Sequence, residues 1–159
     1  MLYAIVKLLR SLVLDNVQQF FDQYVFKTVI RSIIFGMILT IMVQSSSITT
    51  STIVPLAGAG VLTLRQVYPF TLGANIGTTV TAILAALTLN VTALMAAFAH
   101  LFFNLYGILI IYVNPLFRNI PLKLARGIAE IAIRNKFIPL IYLVLFFFVL
   151  PLLIILIGR

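Results

Sequence analysis

Apolar residues in this chain come in long uninterrupted runs, and that property restricts the folds open to it. Between Val91 and Val113 the polar side chains are Thr92, His100 and Asn104 besides two tyrosines, and from Phe137 to Gly158 no side chain is charged. Runs of about 20 apolar residues match the hydrocarbon thickness of a bilayer, whereas a half-buried strand would alternate in polarity. The composition agrees: 63% of the 159 residues are hydrophobic, 9% are charged, and the mean hydropathy is +1.21. A soluble domain carries about a quarter charged residues, and so few charges cannot cover a surface that faces water. The fold class expected is therefore all-α and integral to a membrane. No cysteine is present, which excludes disulfides and thiolate metal sites. The net charge of +8, from 11 basic and 3 acidic residues, fits the excess of Lys and Arg in cytoplasmic loops better than it fits nucleic-acid binding.

Residues 1–26 read as an amphipathic interfacial helix. Lys7 and Arg10 stand one turn apart, and Leu2, Ile5, Val6, Leu9, Leu12 and Val13 form an apolar stripe. The membrane domain is expected to occupy 27–159. Within it, residues 28–64 form two apolar pieces, each about 16 residues and short of the roughly 20 needed to span. They are separated by Gln44-Ser45-Ser46-Ser47 and the second runs from Ile48 to Leu64, so a re-entrant hairpin with its turn at membrane depth is predicted. Residues 66–89 are centred on Gly73-Ala74-Asn75-Ile76-Gly77, a poor sequence for a continuous helix, and a broken helix is predicted there: 66–73, an extended stretch, then 76–89. Residues 91–113 and 137–158 are transmembrane helices, the second kinked by Pro151. Between them, 114–136 is a basic cytoplasmic connection holding Arg118, Lys123, Arg126, Arg134 and Lys136, with a short interfacial helix inside it. This topology collects nearly all the basic residues on one face, as the positive-inside rule requires of a cytoplasmic side.

Two clusters carry possible chemistry. From Gln44 to Thr52, eight of nine side chains are hydroxyls or amides within an otherwise apolar region. Hydroxyls donate to an anion or offer oxygen to a cation, and being neutral they avoid the cost of an unpaired charge when the site is empty. The start of the second hairpin helix adds unpaired N–H groups and a positive dipole end. The second cluster is Thr71, Gly73, Asn75, Thr78 and Thr79, where an unwound stretch would free carbonyl oxygens suited to Na⁺ and a restart near Ile76 would give a second helix N-terminus. Each cluster has a plainer reading: serines and threonines pack membrane helices, and paired glycines let helices approach. His100 and Asn104 share a helix face and stand as polar groups inside a span. The chain has no metal-ligand cluster, nucleophile–base pair or phosphate-binding loop, and Asp15, Asp22 and Glu130 lie outside the predicted core, so an enzyme is not indicated.

The string Gln44-Ser45-Ser46-Ser47 with its following threonines, and then Gly73-Ala74-Asn75-Ile76-Gly77-Thr78-Thr79 about 30 residues on, resembles the type II sodium-dependent phosphate cotransporter family over roughly residues 28–113. The resemblance implies a sodium-coupled symporter of inorganic phosphate in the plasma or cytoplasmic membrane, built from two inverted repeats, with Na⁺ as the coupling ion and no other cofactor. It implies phosphate ligands at Gln44, Ser45, Ser46, Ser47, Thr49, Thr78 and Thr79, and sodium ligands at Ser45, Ser46, Thr50, Asn75 and Thr78. The chain carries one such repeat, so a second repeat or a second copy is the partner it implies, besides the lipid bilayer. The charge bias argues against an inverted homodimer. A carrier of another small anion and a non-transporting membrane subunit remain the alternatives.

Overall fold

The computed structural model describes residues 19, 21–135 and 137–157. Most of the amphipathic helix expected over 1–26 lies outside them; within them, Phe21–Val25 is one π-helical turn. All the elements formed by the described residues are helical, and the chain divides into two compact units that meet between Asn114 and Pro115.

The first unit contains four helices. α1 (Val29–Val43) starts where the Thr28 hydroxyl accepts the Arg31 N–H at 3.3 Å. Gln44 and Ser45 alone connect it to α2 (Ser46–Gly58). A turn through Gly60, at φ +77°, leads to α3 (Leu64–Ala86), where the Gln66 side chain accepts the Thr63 N–H at 2.8 Å. The α3–α4 corner is closed by Asn90, whose side chain accepts the Ala93 N–H at 2.8 Å. α4 (Val91–Gly107) then continues through a π turn, Ile108–Tyr112.

What binds these helices is a seam of small residues. Ser32, Gly36 and Thr40 recur every fourth residue on α1 and are buried. Gly73, Ala74 and Gly77 face them from α3 and are also buried. A Cβ added at Gly73 would overlap the Ile33 carbonyl, and one at Gly36 the Phe70 carbonyl. At Gly77 it would stand 2.7 Å from the Met37 oxygen and 2.7 Å from the Thr40 Cβ. Backbone therefore meets backbone, the contact that a small-xxx-small pattern permits in membrane helices. The pairing Ile33–Gly73 followed by Met37–Gly77 runs in one direction along both helices, so α1 and α3 are parallel. At one end of the seam Phe70, fully buried, lies 6.3 Å from the Phe26 ring and 6.0 Å from the Phe35 ring, with Val25, Ile53, Val61 and Leu62 around it.

The expected broken helix is corrected. α3 is continuous for 23 residues through Gly73 and Gly77, with neither an extended stretch nor a restart at Ile76. The glycines serve close approach to α1 rather than unwinding, because tertiary contact outweighs a weak local helix propensity. The hairpin arms are also shorter than expected. Of the predicted 28–64, the helices occupy Val29–Val43 and Ser46–Gly58, the second opening at Ser46 rather than Ile48. At 1.5 Å per residue these arms are only about 20 Å long, against about 34 Å for α3 and a hydrocarbon core of about 30 Å. α3 and the run Val91–Tyr112 are each long and apolar enough to cross a membrane.

The second unit begins with α5 (Asn119–Arg134), the short helix expected in the basic connection. α6 (Phe137–Val144), a π turn over Leu145–Val149 and α7 (Leu150–Ile157) follow. The helix widens just before Pro151, with the Leu150 N–H bonded back to the Leu145 carbonyl. Proline has no N–H and its ring crowds the carbonyl four residues earlier, and a π turn relieves both.

Candidate functional site

The polar turn between α1 and α2 is built from two residues in contrasting conformations. Gln44 is left-handed, φ 58° and ψ 22°, and is the one non-glycine residue with positive φ among those described. Such a conformation costs about 1–3 kcal/mol and collects at functional turns. It is held by the end of α1: the Gln44 N–H donates to the Thr40 carbonyl at 2.8 Å, and its side-chain Nε2 donates to the Ile41 carbonyl at 2.6 Å. Ser45 is extended and caps α2, its Oγ accepting the Ile48 N–H at 3.3 Å. Ser46 and Ser47 form the first turn of α2, whose leading N–H groups have no carbonyl before them in the helix.

The hydroxyls then divide by what they have left to offer. Ser45 Oγ accepts a bond, so its own O–H proton remains available. The threonines are the reverse. Thr49 Oγ1 donates to the Ser45 carbonyl at 2.9 Å, and Thr50 Oγ1 to the Ser46 carbonyl at 2.8 Å. On α3, Thr78 donates to Ala74 at 3.1 Å and Thr79 to Ile76 at 2.7 Å. A hydroxyl whose proton is engaged presents lone pairs, which suit a cation. The turn thus offers donors at the serines and acceptor oxygens at the threonines. Thr49 and Thr79 are fully buried, Ser45, Ser46, Thr50 and Thr78 are half-buried, and Gln44 and Ser47 are exposed.

The continuity of α3 removes one mechanism that the sequence suggested. With no break there are no freed carbonyls and no second helix N-terminus at Ile76, so any ligand from this segment must be a side chain. Asn75 is exposed and lies about 180° around α3 from the Gly73–Gly77 face, at 100° per residue, and so points away from α1. Its carbonyl accepts from Asn104 Nδ2 of α4 at 3.4 Å. Asn104 thus supplies a cross-helix bond on the His100 face, while His100 is exposed. The structure joins the two clusters through Thr40, one turn before Gln44, whose Cγ2 would stand 3.1 Å from a Cβ at Gly77, the residue before Thr78.

Thr40 is a residue that the motifs did not single out. It is 1% exposed, and its Oγ1 is a buried side-chain oxygen without a hydrogen-bond partner. The spacing of Ser32, Gly36 and Thr40 on α1, matched by Gly73 and Gly77 on α3, was the signal in the sequence that could have located it. Electrostatically the region is neutral: from Ser32 to Leu64 no residue carries a charge. Among the described residues no group of three or more His, Cys, Asp and Glu side chains is assembled.

Residues 2–115 match the family described as Na⁺/Pi-cotransporter. The human sodium-dependent phosphate transport protein 2B is 46% identical over 125 residues, covering 76% of this chain and 18% of the relative. The mouse protein 2B is 47% identical over 126 residues, with the same coverage of both chains. The mouse sodium-dependent phosphate transport protein 2C is 40% identical over 169 residues, covering 95% of this chain and 27% of the relative. The chain therefore spans between about a fifth and about a quarter of the length of these relatives. No solved structure matches it significantly. With the match covering well over half its length, the chain belongs to the Na⁺/Pi-cotransporter family.

Proposed function

We propose that this chain supplies one half of the binding site of a sodium-coupled phosphate symporter, a multi-pass protein of the plasma or cytoplasmic membrane. The observation that carries the reading is the α1–α2 turn, where a strained Gln44 and a capping Ser45 lead into serine hydroxyls and open N–H groups at the start of α2. Tetrahedral phosphate takes donors, and Gln44, Ser45, Ser46 and Ser47 are the residues assigned to it. Sodium takes oxygen lone pairs, and Thr50 and Thr78, with their protons engaged, are assigned to it, with Ser45 and Ser46 shared between the two ions. Thr49 and Thr79 have their protons engaged in the same way, so a contribution to phosphate from either must pass through the ion. Asn75 is assigned to sodium, through its side-chain oxygen, on the family resemblance; it faces away from α1.

The arms α1 and α2 are too short to cross, which supports a re-entrant hairpin; the parallel alignment of α1 with α3 fits a hairpin and two full crossings alike. No residue from Ser32 to Leu64 carries a charge, so Na⁺ and phosphate would each provide the other's counter-charge, and each must raise the other's affinity by the same factor. The relatives' description as sodium-dependent phosphate transporters supports the substrate and the ion. Their greater length supports a second repeat, or a second copy of the chain, as the missing half.

The test is uptake of labelled phosphate into proteoliposomes under an inward Na⁺ gradient, with K⁺ in its place as control, for the chain alone and with a second-repeat chain. Na⁺-dependent uptake that Ser46→Ala and Asn75→Ala abolish, with both variants still inserted, is expected. Normal uptake by both variants would refute the site, and uptake blocked equally by sulfate would make the substrate small oxyanions at large.

A further inference from the structure

α5 divides its circumference into two stripes. Asn119, Lys123, Arg126, Glu130 and Arg134 recur at intervals of four, three, four and four residues, and at 100° per residue they fall within about 80° of arc. Ile120, Leu124, Ile128 and Ile131 recur at four, four and three and fall within a second arc of about 80°, centred about 120° from the first. The charged residues are exposed. The apolar four are 46%, 61%, 47% and 47% exposed, so this unit leaves half of the apolar stripe open.

The C-terminal end of α5 shows what covers that stripe. Two residues separate it from the next helix, and the corner is fixed: the Asn135 side chain accepts the Phe137 N–H at 3.0 Å, and its carbonyl accepts the Ile138 N–H at 3.1 Å. Beyond the corner lies the uncharged apolar helix Leu140–Leu156. Ile128 and Ile131 share with Ile138 and Tyr142 an apolar groove of about 140 Å³. The open stripe therefore runs directly into a segment of hydrocarbon character, and Arg134 sits at the junction. In sequence α5 also follows the membrane-length run Val91–Tyr112. A helix so placed, apolar on one side and basic on the other, has the build of one lying in a bilayer interface.

We propose that α5 is an interfacial helix that binds anionic phospholipid. Its Ile120–Leu124–Ile128–Ile131 stripe enters the acyl boundary, and Lys123, Arg126 and Arg134 gather acidic headgroups. Three cations against the single Glu130 leave a net attraction for anionic lipid, and long Lys and Arg stems let the charges reach the phosphate plane while the helix stays submerged. A protein groove would satisfy the apolar stripe as well, but it would not explain a cationic stripe continuous with a hydrocarbon-like helix.

The chain has no tryptophan, so Leu124→Trp gives the full-length protein a single indole on the apolar stripe. It is reconstituted in vesicles of equal parts phosphatidylcholine and phosphatidylglycerol, with bromine on the acyl chains of one lipid or the other. Brominated phosphatidylglycerol is expected to quench at least about threefold more than brominated phosphatidylcholine, from attraction by three cations. The preference should fall close to unity when Lys123→Gln, Arg126→Gln and Arg134→Gln are added, and at about 1 M salt, where the screening length is about 3 Å. Continued quenching by brominated phosphatidylcholine shows that the charge variant remains inserted, and the salt arm needs no variant. Equal quenching by both lipids would overturn the selectivity, and quenching by neither would show that the stripe faces protein or water.

Discussion

The close contact of α1 with α3 makes Gly73→Ala the sharpest test of the fold. The added Cβ would overlap the Ile33 carbonyl oxygen and stand 2.7 and 2.8 Å from its carbonyl carbon and Cα, all backbone atoms that cannot rotate away. Restoring an ordinary contact of 3.4 Å to the carbonyl oxygen requires the helices to part by well over the roughly 0.7 Å that the carbonyl carbon alone would need, and such a gap forfeits at least about a quarter to a half of the dispersion energy of the contacts it opens. The loss spreads along the seam of Ser32, Gly36 and Thr40. The expected destabilisation is about 2–3 kcal/mol, at the upper end for overpacking, partly offset by the roughly 0.5–1 kcal/mol that Ala gains over Gly inside a helix. Gly107→Ala is the control, since no atom lies within 4 Å of a Cβ there and only the favourable term applies. Thermal stability of the detergent-solubilised chain, read from the folded fraction by gel filtration after heating, should fall for Gly73→Ala and hold or rise for Gly107→Ala. If the two variants move together, α3 does not meet α1 backbone to backbone at Gly73, and the broken helix suggested by the sequence regains its claim.

Two further substitutions separate strain from function. Thr40→Val replaces a buried, unpartnered hydroxyl by a methyl of similar size and should raise stability by about 1 kcal/mol in the same heating assay; a loss of that size would show that the hydroxyl is hydrogen-bonded after all. Gln44→Gly should relieve the left-handed conformation, worth about 1 kcal/mol, yet reduce phosphate uptake at least tenfold by removing the side chain from the binding turn. A variant that is both more stable and fully active would take Gln44 out of the site.

The sequence was most legible where chain length and polarity meet the bilayer. The run Val91–Tyr112 and the two-residue turn after Val43 fall close to where hydropathy and the serine string placed them. It misled at Gly73–Gly77, because glycine is ambiguous in a membrane helix: one composition serves an unwound ion site and a close crossing. Only the partner decides, and the partner, Ser32-x-x-x-Gly36-x-x-x-Thr40, lies about 40 residues away. The same ambiguity hid Thr40, whose burial depends on Gly77. Hydroxyl orientation was beyond reach for another reason: whether a threonine offers a proton or a lone pair depends on which carbonyl its helix places beneath it. That became visible only once α2 was seen to open at Ser46.

The seam and the polar turn make opposite demands on α1, and their spacing reconciles them. The last close contact of the seam is Thr40 against Gly77, and the strained residue is Gln44, one helical turn further on. Gln44 is held left-handed by a bond to the Thr40 carbonyl, so the residue that ends the rigid contact also anchors the turn. A site placed deeper in the seam would have no room for an ion, since backbone meets backbone there. A site placed several turns beyond it would lose the support that keeps a left-handed glutamine in place at a cost of about 1–3 kcal/mol. Because the turn carries no fixed charge, its geometry must do what a carboxylate or a guanidinium does elsewhere. On the proposed function, hydroxyls and N–H groups held in place before the ions arrive would spare each ion the cost of ordering them, and the two ions would then neutralise each other.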